Sequence, residues 1–91
     1  MSVGICEIDI FIYGSDSLKE RRNVVRKIID KVRNRFNVSI AEVGDSDLWQ
    51  RTALKIACVN SDRQEANTTL SKVINMIEEE VEVRIVKMEI I

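Results

Sequence analysis

The sequence predicts an α+β two-layer sandwich in the order β-α-β-β-α-β, one domain over residues 1–91. Three observations predict it. Four stretches alternate or cluster β-branched residues with a period of two. Two intervening stretches repeat apolar residues at three- and four-residue steps. A turn cluster, Gly44-Asp45-Ser46-Asp47, joins the second and third strands as a hairpin. Two right-handed β-α-β crossovers on one antiparallel sheet place both helices on the same face, which is the ferredoxin-like arrangement.

The first strand runs from Val3 to Ile12. Cys6, Ile8, Ile10 and Ile12 share the core face, and Glu7, Asp9 and Phe11 share the other with Val3 and Ile5. Tyr13-Gly14-Ser15-Asp16 is turn chemistry. Ser17 and Glu20 have capping-box spacing and open a helix that extends to about Phe36. Leu18, Val25, Ile28, Ile29, Val32 and Phe36 form its buried stripe, and Asn37 is a stop.

Val38 to Val43 is a short second strand with Val38 and Ile40 inward. Arg51 to Val59 returns antiparallel. Leu54, Ile56 and Cys58 face the core; Arg51, Ala53, Lys55, Ala57 and Val59 face away. Ser61 and Gln64 fit a second capping box, followed by a stripe of Ala66, Leu70, Val73, Ile74 and Ile77. Glu78-Glu79-Glu80 is a solvated helix end. The last strand, Glu82 to Ile91, slips in its alternation between Val83/Ile85 and Val86/Met88/Ile90, which points to a bulge or to two semi-buried faces.

Composition bounds the chemistry. At 45% apolar and 32% charged, the chain is globular. Ninety-one residues support one modest core, burying about 60% of the extended-chain surface. The chain has no histidine, which removes imidazole bases and His-ligated metals. Cys6 and Cys58 lack metal-ligand spacing and read as two inward thiols on neighbouring strands. Glu42, Asp45 and Asp47 read as an acidic turn and not as a metal site. The expectation is therefore no catalytic residue, no metal and no cofactor. The N-terminus has no signal-peptide pattern, and no apolar run spans a membrane, so a cytoplasmic location is expected.

Charge is polarised. From Ser17 to Phe36, eight basic residues oppose Glu20 and Asp30, a local net of +6; the remainder carries −7 of a chain with net charge −1. Such a field steers anionic partners. Lys19, Arg21, Arg22, Arg26 and Arg33 are the candidate phosphate- or nucleic-acid-binding residues, with the helix N-terminus as an anion site. The alternative is a solvated helix face. The sheet lacks the aromatics on which an RRM stacks bases, so contact with RNA would use phosphate charge.

Trp49 is either a lid on the core or, with Arg51, a partner contact. Ile5, Phe11, Ala53, Ala57 and Val59 lie on the sheet face left open by the helices and form the candidate homodimer interface.

Ser17-Leu18-Lys19-Glu20-Arg21-Arg22, the run Arg35 to Val43 (RFNVSIAEV) and Asp47-Leu48-Trp49-Gln50-Arg51 together resemble the YlxP-like family of small bacterial proteins of unassigned function. The resemblance spans nearly the whole chain. It departs at Gly44-Asp45-Ser46 and at Tyr13-Gly14, where a proline is common. It implies a ferredoxin-like fold and a gene neighbourhood of transcription, translation and ribosome maturation, and it supplies no catalytic residue. The functional expectation is a non-catalytic module associated with RNA or ribosomal particles through the basic helix. The alternative is a homo-oligomeric interaction or regulatory module using the open sheet face. An acylphosphatase-like enzyme would need a stronger phosphate-cradling loop than Tyr13 to Asp16.

Overall fold

The chain follows the predicted order in a computed structural model that describes residues 1–44 and 50–91, the side chain of Ile85 excepted. The elements are β1 (Ser2–Phe11), α1 (Leu18–Arg35), β2 (Ser39–Glu42), β3 (Arg51–Asn60), α2 (Arg63–Glu78) and β4 (Glu82–Ile90). They form a ferredoxin-like fold. The sheet order is β2-β3-β1-β4, antiparallel throughout. β1 pairs with β3 along its whole length, from Ser2 opposite Asn60 to Phe11 opposite Arg51.

The core lies between the sheet and the helices. Strand alternation sends Cys6, Ile8, Ile10, Leu54, Ile56 and Cys58 to the helix side, where all are buried. From α2, Ala66, Leu70, Val73, Ile74 and Ile77 fill that side as predicted. Each fully buried Leu or Ile is worth about 1.5–3 kcal/mol. Burial pushes the Cys6 thiol above its ordinary value. The Cys58 thiol points to the Ala66 carbonyl at 3.7 Å.

The helix ends refine the expected caps. Ser17 Oγ accepts from the Glu20 N–H at 3.2 Å, as a capping box requires. The Glu20 carboxylate accepts from the Asp16 N–H at 2.8 Å, one residue before the cap. In α2 the cap is Asp62, not Ser61: its carboxylate accepts from the Gln64 N–H at 2.9 Å. The Asp62 N–H in turn donates to Asn60 Oδ1 at 2.8 Å, and this turn sets Asp62 at the helix mouth.

β2 is shorter than expected, with Val38 and Val43 just outside it. Of the inward pair predicted there, Ile40 is buried and Val38 half-buried. The bulge, one of the two readings of the last strand, is present. Asp9 faces residue 85 and Ile10 faces Val83, so Arg84 is the extra residue. Two glycines are required locally. Gly14 turns the chain at φ +79°. At Gly44 a Cβ would collide with the Ala53 backbone nitrogen and lie 2.7 Å from Thr52 Oγ1, so only glycine fits.

Candidate nucleic-acid interface

α1 presents two different faces. Val25, Ile28 and Val32 are buried against the sheet, with Leu18, Ile29 and Phe36 half-buried beside them. Lys19, Arg22, Arg26 and Arg33 stay exposed and share one flank. Arg33 Nη2 donates to the Ile40 carbonyl at 3.2 Å, which ties this flank to the β2 edge. Arg26 Nη2 donates to Asn23 Oδ1 at 3.5 Å. Among the described residues, none of these four cations is ion-paired with a carboxylate; the ion pairs there engage Arg21, Lys31, Arg51 and Arg84. Fourteen residues separate Lys19 from Arg33, a rise of about 21 Å along the helix.

Arg21 does not belong to this set, a correction to the sequence reading. It is 1% exposed and its Nη1 lies 3.3 Å from Glu42 Oε2. The same carboxylate oxygen accepts from Thr52 Oγ1 at 2.6 Å. Arg21, Glu42 and buried Thr52 form a polar clasp joining α1 to the β2–β3 end of the sheet. The signal was periodic: Arg21 precedes Val25, Ile28 and Val32 by four, seven and eleven residues, on the same helix face.

At the helix N-terminus the Glu20 N–H is already capped by Ser17. Ser17 and Glu20 bond backbone N–H groups there, and Asp16 adds a further carboxylate beside it. The other flank of α1 faces acids, and Lys31 pairs with Glu80. An open cleft of about 470 Å³ lies on that side, lined by Phe11, Tyr13, Val24 and the glutamates from Glu78 to Glu80 together with Glu82. The basic and acidic surfaces thus occupy opposite flanks of α1.

A cluster on the open sheet face escaped the sequence reading. The Arg84 guanidinium sits 3.8 Å from the Phe11 ring centroid, and that of Arg51 sits 5.6 Å from it. Arg51 pairs with Asp9 at 2.9 Å. Tyr13 donates to Glu82 Oε2 at 2.9 Å and accepts from Arg84 Nη2 at 2.9 Å. Hydrogen bonds from Arg84 and Tyr13 hold the Glu82 carboxyl below its ordinary range. Arg84, the extra residue of the bulge, lies two positions after Glu82, which stands opposite Phe11 in the register, and so shares its face.

The candidate interface residues Ile5, Phe11, Ala53 and Ala57 are half-buried and Val59 is exposed, all on the open face. Glu7 lies between Lys55 and Lys87 in the same rows. Trp49, Asp45 and Asp47 lie outside the described residues. Among the described residues, no cluster of three or more His, Cys, Asp or Glu has metal-binding geometry. No helix there is long and apolar enough to cross a membrane.

The sequence that folds into this α+β sandwich matches a recognised family. Residues 3–90 match the model of a family described as protein of unknown function (DUF503), and the chain belongs to that family. It is 43% identical over 76 residues to the uncharacterized protein YlxP of Bacillus subtilis (strain 168), covering 84% of this chain and 83% of that protein. Among solved structures, the de novo designed ferredoxin-fold protein LFR1 1 superposes with a TM-score of 0.57 at 16% identity, over 100% of this chain and 83% of that one. A putative antibiotic biosynthesis monooxygenase from Nitrosomonas europaea gives 0.52 at 10% identity, over 98% and 88%. At these identities the likeness concerns the fold alone.

Proposed function

We propose that this protein is a non-catalytic RNA-binding module that docks on the phosphate backbone of ribosomal RNA through the outer flank of α1. The observation that carries this reading is the row Lys19, Arg22, Arg26 and Arg33: exposed, on one flank, and not ion-paired among the described residues. Its span of about 21 Å matches roughly six nucleotides at ~3.4 Å of rise per strand. The acidic cleft on the opposite flank orients the field, so an anionic partner approaches from the basic side. The translation-linked gene neighbourhood implied by the YlxP-like resemblance agrees with a ribosomal target.

An acylphosphatase-like reading has less support. Ser15 in the β1–α1 loop is buried, its hydroxyl donates to the Ser17 carbonyl at 3.1 Å, and its own carbonyl faces Gln50 Nε2 at 3.5 Å. That loop is occupied by its own contacts.

The test is binding to ribosomal subunits and to unstructured RNA across a salt series. The triple variant Arg22→Gln, Arg26→Gln, Arg33→Gln weakens binding to all RNA sequences alike and flattens the salt slope by about 2, since each lost single-strand phosphate contact removes ~0.7. Unchanged binding and slope in that variant sink the proposal.

A further inference from the structure

β4 is an edge strand. Its inner side pairs with β1, and among the described residues its outer side has no partner strand. The ladder determines which groups point outward. The Val3 N–H donates to the Ile91 carbonyl at 2.9 Å, and the Ile91 N–H donates to the Val3 carbonyl at 2.8 Å. Hydrogen-bonded pairs recur every second residue, so Glu89 and Lys87 also bond inward, to Ile5 and Glu7. Val86, Met88 and Ile90 therefore turn their N–H and C=O groups to the free edge. Val86 and Met88 are also 47% and 36% exposed, although their side chains lie on the helix-covered side of the sheet. Among the described residues this row of outward N–H and C=O groups is unpaired, and such an edge is a template for another strand.

We infer that the protein forms a two-fold homodimer by antiparallel pairing of β4 with β4 of a second copy, Met88 lying on the axis. Three features select this occupant and this register. Outward-facing groups must meet outward-facing groups, which leaves registers that differ by two residues. Of these, the register centred on Lys87 opposes Lys87 to itself, and the register centred on Glu89 opposes Glu89 to itself; like charges directly opposite are destabilising. The register centred on Met88 sets Lys87 opposite Glu89 of the second copy, twice by symmetry. On the other face it sets Val86 opposite Ile90, also twice, and Met88 opposite itself. The bulge at Arg84 ends the straight part of the strand, leaving residues 85–91, whose midpoint is Met88.

Pairing would add about six interstrand hydrogen bonds and join two four-stranded sheets into one of eight. The sheet-face interface expected from the sequence suits a second copy less well. There the apolar residues are interrupted by Glu7, Asp9, Arg51 and Lys55, and the Phe11 ring is covered by Arg84.

Sedimentation equilibrium at micromolar concentration tests the inference. The unaltered protein sediments as a dimer. Lys87→Glu sets carboxylates opposite each other and weakens the dimer at least ~10-fold; adding Glu89→Lys to it restores the dimer to within ~3-fold. Met88→Glu gives a monomer with an unchanged circular dichroism spectrum, and Ala57→Glu on the open face leaves the dimer intact. A monomer for the unaltered protein overturns the inference. So does a dimer that survives Met88→Glu, or one that the Lys87→Glu, Glu89→Lys pair does not restore.

Discussion

At the residue scale, Arg21 separates charge used by the fold from charge offered to a partner. It is one of eight basic residues between Ser17 and Phe36, and sequence composition cannot distinguish it from Arg22. Helical periodicity can, because Arg21 shares the face of Val25, Ile28 and Val32. Its guanidinium enters the sheet side because Glu42 waits there, 28% exposed and also bonded to Thr52. Removing one member of a buried pair strands the other, at roughly 3–5 kcal/mol when both are fully enclosed. Glu42 retains some water, so Arg21→Ala is expected to cost about 3 kcal/mol, the low end of that range, in urea unfolding. Adding Glu42→Gln recovers part of the loss, because no charge is then left unpaired. At temperatures where the variant is folded, RNA affinity stays within about twofold, since the side chain is enclosed. A collapse of RNA binding in folded Arg21→Ala would return this residue to the interface.

At the element scale, local pattern reads well and nonlocal partnership reads poorly. The α2 stripe was legible residue by residue because burial on a helix follows its 3.6-residue period. The alternation of β1 and β3 was legible for the same reason. Even the β4 bulge showed as a slip in that alternation. Three features were not legible: the partner of Arg21, the choice of Asp62 over Ser61, and the seat of Arg84 above Phe11. Each depends on a group brought close by the fold or by a turn, not on the residue's own period. The cap gives a direct check. Asp62→Ala removes the acceptor of the Gln64 N–H and costs about 1 kcal/mol. Ser61→Ala, one residue outside the cap, changes stability by less than about 0.5 kcal/mol. Chemical denaturation that ranks the two the other way would assign the cap to Ser61.

At the scale of the whole molecule, the two flanks of α1 make an electric dipole out of a chain whose net charge is only −1. One flank carries Lys19, Arg22, Arg26 and Arg33; the other looks onto the cleft with Glu78, Glu79, Glu80 and Glu82. Charges on the far flank reach an RNA on the basic side only through the field, and salt decides how far that field extends. The Debye length is about 10 Å at 0.1 M salt and about 30 Å at 0.01 M. The molecule measures 42 × 22 × 17 Å, so the acidic flank is screened from the basic one at the higher salt and felt at the lower. The double variant Glu78→Gln, Glu79→Gln leaves the Lys31–Glu80 pair in place. It is expected to bind RNA several-fold more tightly, with faster association, near 0.01 M salt, and to match the unaltered protein near 0.15 M. Stopped-flow association rates at the two ionic strengths measure this. A gain that persists at 0.15 M would mean that RNA touches the glutamate cleft itself, and the binding surface would have to be moved from the basic flank to the other side of α1.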